Sequence, residues 1–140
     1  MIVIDASLAV KWFLKEADSD PAGELFAEFI GQIGVPALFG IEVAAALVRE
    51  GNLDKPNSGV MRQAVDQLAG YLADGSLETI VQGPMQLAKA ANMALDLGHP
   101  LKDCIYLALA IELGCDLVTC DARFAAKAKG VWSGVRVLGE

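Results

Sequence analysis

Histidine is nearly missing: His99 is the one copy in 140 residues. It stands just before Pro100 and reads as a cap or loop residue rather than a ligand, with no second histidine to join it. Cysteine is scarce and odd in number, and the spacing of Cys104, Cys115 and Cys120 fits no zinc pattern. The three read as small hydrophobes in a reducing, cytoplasmic compartment. Basic residues are in deficit, 11 against 18 acids, for a net charge of −7. That argues against nonspecific affinity for nucleic acid through bulk electrostatics. It leaves room for a nucleic-acid substrate held by a metal-loaded pocket and local basic residues. No long apolar run is present; Ile105 to Ile111 falls well short of the roughly 20 residues that span a bilayer. No basic stretch precedes the first apolar residues and Asp5 interrupts them, so a signal peptide is not expected. There is no linker, internal repeat or low-complexity segment, and residues 1–140 read as one domain.

Apolar character is plentiful. Hydrophobic residues make up 54% of the chain and the mean hydropathy is +0.43. The surplus suggests an oligomer or partner interface. Ile2-Val3-Ile4 is a β-branched run without alternation, as expected of a strand buried on both faces. Further strands are expected at Val35-Pro36, Ser76 to Val81, Asp116 to Asp121 and Val135 to Leu138. Between them fall helical stretches at Ser7 to Lys15, from Ser19-Asp20-Pro21 to Ile30, Ala37 to Glu50, Val60 to Ala73, Pro84 to Leu97, His99 to Leu113 and Ala122 to Lys129. Ala37 to Glu50 is apolar nearly all round, which predicts a buried helix. Gly51 to Gly59 reads as loop, and Gly31 to Gly34 as a helix stop. Strands alternating with helices give an α/β domain with a mainly parallel sheet of about five strands.

Two strands end in the same way, Ile2-Val3-Ile4-Asp5 and Leu117-Val118-Thr119-Cys120-Asp121. In a parallel sheet both ends lie on one edge, and ligands of open α/β sheets bind outside the carboxyl ends of the strands. Asp103 falls in the first turn of its helix, so it too lies near a loop end. Glu42 lies one turn inside an apolar helix, where an unpaired carboxylate is costly. Each has a plainer reading. Asp5 and Asp121 would serve as N-caps, Asp103 would favour its helix dipole, and Glu42 would pair with Arg49 or a core hydroxyl. Asp116 starts its strand, roughly 17 Å from Asp121, and is excluded from the set. If the four acids converge, each pair about 6 Å apart repels by roughly 3 kcal/mol at an effective dielectric of about 20. A bound cation relieves that, and hard oxygen donors point to Mg²⁺ or Mn²⁺. Such an ion activates water and steadies the leaving oxygen of a phosphodiester. Thr119 and Ser7 stand two residues from Asp121 and Asp5, as candidate donors behind them.

Ile2-Val3-Ile4-Asp5-Ala6-Ser7, the segment from Pro36-Ala37-Leu38 to Glu42-Val43-Ala44, Leu101-Lys102-Asp103-Cys104-Ile105-Tyr106-Leu107-Ala108-Leu109-Ala110, and Leu117-Val118-Thr119-Cys120-Asp121-Ala122-Arg123-Phe124 resemble the successive motifs of the PIN domain. The likeness is to its VapC-like toxins, and it runs through essentially the whole chain in order. It implies a three-layer fold with strand order 3-2-1-4-5. It implies an Mg²⁺- or Mn²⁺-dependent endoribonuclease in which Asp5, Asp103 and Asp121 hold the ion and Glu42 completes the set or orients the water. It further implies an RNA substrate, a homodimer, and a cognate antitoxin that reaches into the acidic pocket and carries the DNA-binding domain, so that the chain itself does not read DNA sequence.

Two other readings stay beside it. One is a metal-dependent phosphatase, against which stand Asp5-Ala6-Ser7 in place of an Asp-x-Asp pattern and the lack of a phosphate-cradling glycine motif. The other is a catalytically silent dimeric scaffold whose acids dock a basic peptide. Lys11, Lys15, Lys102, Arg123, Lys127 and Lys129 fall near the acidic edge and read mostly as solvated charge, with Lys102 and Arg123 the candidates for phosphate contact. Trp12 and Phe13 read as core or partner-groove residues in preference to base-stacking platforms.

Overall fold

The computed structural model describes residues 1–140 and resolves five strands and seven helices. β1 (Ile2–Ile4) is buried throughout because it pairs on both sides. Its neighbours are β2 (Ile33–Pro36) and β4 (Asp116–Thr119). β3 (Glu78–Ile80) and β5 (Val135–Val137) form the edges, and every pairing is parallel, in the order β3-β2-β1-β4-β5. The expected sheet and its order are both present. The chain winds outward from β1 to β3, then returns to place β4 against β1. That return is the topological switch point, where a crevice opens at the carboxyl ends of the two strands.

The connections are α1 (Ala6–Ala9) with a 3-10 turn at Val10–Trp12, α2 (Ser19–Phe29), α3 (Leu38–Leu53), α4 (Ser58–Asp74), α5 (Pro84–Leu97), α6 (Leu101–Leu113) and α7 (Ala122–Ala128). α6 is the helix buried from all sides: Cys104 and Tyr106 to Ala110 are all core residues. α3 departs from its expected burial. Only Phe39, Val43, Leu47 and Gly51 face inward, at i, i+4 spacing, while Ile41 is 70% and Leu53 76% exposed. Its second apolar face is part of the surplus apolar surface expected from composition.

Three boundaries also move. α3 continues to Leu53, into the expected loop, and Gly51 packs against α4, where a Cβ would meet Met61 Cβ at 3.4 Å, an ordinary contact distance. β2 begins at Ile33 and includes Gly34, a residue expected to stop the preceding helix. A Cβ at Gly34 would come to 3.0 Å from Ile80 Cδ1 and 3.3 Å from Met1 Sδ. The first helix is cut to four residues before its 3-10 turn. Trp12 and Phe13 lie in an aromatic cluster with Phe26 and Tyr71, and Trp12 Nε1 donates to Ala22 O at 2.9 Å. They are packing residues. No helix is long and apolar enough to cross a membrane.

Candidate active site

Asp5 leaves β1 with extended backbone and caps α1, its Oδ1 accepting from Leu8 N at 3.3 Å. The cap expected from sequence is present, and the same residue lines the cleft described below. Ser7 Oγ donates to the same Oδ1 at 2.6 Å, and Thr119 Oγ1 donates to Oδ2. Each hydroxyl also accepts from the chain leaving β4: Cys120 N reaches Ser7 Oγ at 3.3 Å, and Asp121 N reaches Thr119 Oγ1 at 3.0 Å. Two hydroxyls thus stitch the exits of β1 and β4 together around one carboxylate. Asp5 is only 3% exposed. Burial pushes its pKa up to about 6. The Ser7, Thr119 and Leu8 hydrogen bonds pull against that rise, and the charge on Asp103 adds to it. Desolvation, more than mutual repulsion, is the main cost of placing an acid here.

Asp121 caps α7, accepting from Phe124 N at 3.0 Å through Oδ1. Asp103, in the first turn of α6, has its Oδ2 2.5 Å from His99 Nε2. Glu42 on α3 has one of the two partners that its plainer reading allowed, a core hydroxyl. Its Oε1 accepts from the Tyr106 hydroxyl at 2.6 Å, and its Oε2 lies 3.7 Å from Lys102 Nζ. The core hydroxyl considered from sequence is therefore Tyr106, and Arg49 is not the partner. Burial, then the bond to Glu42, raises the Tyr106 pKa, keeping it a donor.

Asp5, Glu42, Asp103 and Asp121 line one cleft of about 360 Å³, together with Ala6, Ser7, Val10, Ala46, Lys102 and Tyr106. All four acids singled out from sequence are brought together. At its edge Asp103 and Asp121 meet His99, which is not part of the lining, and the three offer ligand atoms within 4.8 Å of one another. Opposite ligands of an octahedral Mg²⁺ stand about 4.2 Å apart, so the Asp103 and Asp121 carboxylates are close enough to share a divalent cation. Asp5 and Glu42 flank that trio. Asp116 lies at the opposite end of the sheet, level with Ile2, and pairs with Arg136 Nε at 3.0 Å. His99 is the residue sequence reasoning misplaced: it does sit in the loop before α6, but against an acid of the cleft. The i, i+4 spacing to Asp103 was the available signal.

Of the cations near the acidic edge, Lys11 pairs with Glu16, Lys127 donates to Gly98 O and Lys129 binds Glu140. Lys102 is 62% exposed at the rim. Burial raises the pKa of all three cysteine thiols, Cys120 to about 11, which suits their reading as inert hydrophobes.

Residues 2–130 match the PIN domain, and the chain belongs to that family. Among curated proteins it is 32% identical to Ribonuclease VapC12 of Mycobacterium tuberculosis over 129 residues, covering 89% of this chain and 90% of the relative. Solved structures share the fold. PAE2754 from Pyrobaculum aerophilum superposes with a TM-score of 0.71 at 20% identity, over 98% of this chain and 90% of the other. A chain of a toxin–antitoxin complex from Klebsiella pneumoniae gives 0.68 at 15% identity, covering 100% and 99%. VapC20 of Mycobacterium tuberculosis, a sarcin–ricin loop cleaving toxin, gives 0.70 at 14% identity, over 90% and 94%.

Proposed function

We propose that the protein is a divalent-metal-dependent endoribonuclease and the toxin of a toxin–antitoxin pair. The observation that carries this reading is the convergence of Asp5, Glu42, Asp103 and Asp121, from four separate elements, on one cleft at the switch point of a PIN sheet. The VapC ribonuclease relative and the toxin–antitoxin neighbour support the RNA substrate and the antitoxin partner. Asp5, Asp103 and Asp121 hold the cation, and the hard oxygen donors select Mg²⁺ or Mn²⁺. When bound, the ion lowers the pKa of water and steadies charge on the phosphodiester oxygens.

The chain's own groups prepare the rest. Ser7 and Thr119 fix the Asp5 carboxylate by donating to both of its oxygens. Tyr106 fixes Glu42 through Oε1, leaving Oε2 to the cleft, where it orients the attacking water and takes up its proton. Lys102, at the rim, contacts a substrate phosphate. The apolar surface of α3 and α5, where Ile41, Leu53, Met85 and Leu95 are exposed, supports a homodimer and an antitoxin interface. The protein works in the cytoplasm, where its RNA substrate is found.

The test is cleavage of total RNA by purified protein, with transcript ends mapped after a short induction. Mg²⁺ or Mn²⁺ supports cleavage and EDTA stops it; Asp5→Asn and Asp103→Asn abolish it with circular dichroism unchanged. Undiminished cleavage by either variant refutes the assigned roles. Hydrolysis of a simple phosphate ester in preference to RNA moves the protein to the phosphatases.

A further inference from the structure

Asp103 is a partly buried carboxylate in the first turn of α6, on a side chain with two rotatable bonds. A free carboxylate presents its oxygens to a cation only part of the time. Here it is not free: Oδ2 meets His99 Nε2 at 2.5 Å. The imidazole is itself fixed. Its side chain is only 9% exposed, and its ring stacks on Phe124 with centroids 4.7 Å apart and planes 28° from parallel. Phe124 in turn gives its backbone N–H to Asp121 Oδ1 at 3.0 Å. Lys127 on the same helix closes on Gly98 O at 3.1 Å, tying α7 to the corner that carries His99. One residue, Phe124, thus couples the orientations of Asp103 and Asp121: it backs the ring that holds one and donates to the other.

We propose that His99 is a positioning residue of the acidic cleft. It donates Nε2–H to Asp103 Oδ2 and leaves Oδ1, which no other group engages, to face the cation. A carboxylate oxygen accepts, so the proton of this bond is carried on Nε2 of the imidazole. Partners of this kind orient metal-binding side chains, and their loss typically costs about 10- to 100-fold in metal affinity. The inference rests on the cleft being the cation site, and the experiment separates the two.

Mn²⁺ binding to the purified full chain is measured by calorimetry for the parent, His99→Phe and His99→Gln. Phenylalanine keeps the stack on Phe124 and removes the donor; glutamine keeps an N–H donor and removes the stack. The expected result is Mn²⁺ affinity at least about tenfold weaker in His99→Phe and close to the parent in His99→Gln, although the phenylalanine variant is the better packed. Parental affinity in His99→Phe overturns the positioning role. A parent that takes no Mn²⁺ overturns the cation site itself, and this role with it. A second measurement needs no substitution. With one histidine in the chain, long-range ¹H–¹⁵N spectra of the Mg²⁺-loaded parent report on His99 alone. Retention of the Nε2 proton at saturating Mg²⁺ is expected; its loss means that His99 is a direct ligand and overturns the proposal.

Discussion

Tyr106 and Glu42 stand 64 residues apart, and the phenol donates to the carboxylate at 2.6 Å between α6, whose middle lies in the core, and the half-exposed α3. That bond sets the direction of the acid least able to serve as a helix cap. Tyr106→Phe keeps the ring and removes the donor. A hydrogen bond to a charged group contributes about 1.5–3 kcal/mol. Thermal unfolding should show a loss in that range, and RNA cleavage should fall more than cation affinity does, because Glu42 is assigned to the water.

Thr119 is buried, donates to Asp5 and accepts from the Asp121 backbone N–H. Thr119→Val, nearly the same shape, leaves both neighbours short of a partner. Denaturant unfolding should show a loss of about 2–3 kcal/mol. Divalent-cation affinity should fall with it, since two acids of the cleft lose their common anchor.

Asp5 gives the pH dependence. Its carboxyl is held at about 6 in the fold against 3.8 in the unfolded chain. A raised carboxyl binds its proton more tightly when folded, so its contribution to stability is present below about pH 4 and is lost as pH rises through 6. The difference is on the order of 3 kcal/mol. Cation binding should offset that loss by stabilising the ionised form. The melting-temperature gain on adding Mg²⁺ is therefore expected to be larger at pH 7.5 than at pH 5, and Asp5→Asn should flatten the difference. An equal gain at both pH values would remove Asp5 from the binding site.

Gly34 offers a control remote from the chemistry. Gly34→Ala places a methyl 3.0 Å from Ile80 Cδ1 and 3.3 Å from Met1 Sδ. Both are ends of flexible side chains, so a cost of about 1 kcal/mol is expected. Cleavage per folded molecule should not change. A loss of activity beyond the folded fraction would mean that the β2–β3 packing reaches the site.

How far the sequence reveals this arrangement depends on what each residue's position is made by. Asp5 and Asp121 follow short apolar runs, and a run ending on a carboxylate can be read directly. Glu42 is conspicuous for its charge, but its partner is not, because Tyr106 is brought to it by the packing of α6. His99 escapes for a related reason: proline intervenes, and the i, i+4 spacing to Asp103 does not by itself say that the first turn of α6 will close back onto the loop. Gly34 and Gly51 look like punctuation until their neighbours, Ile80 and Met61, are seen to pack close against them. Local chemistry shows in a string of residues; what a third element supplies does not.

The bond between Asp5 and Thr119 joins positions 114 apart. On the ribosome, the first of these is made 114 residues before the second. An aborted product stopping short of β4 would lack Thr119, Asp121 and the wall that shields Asp5. Such fragments would carry no working nuclease, so a cell making this protein meets its chemistry only after β4 and the acid that follows it have been made.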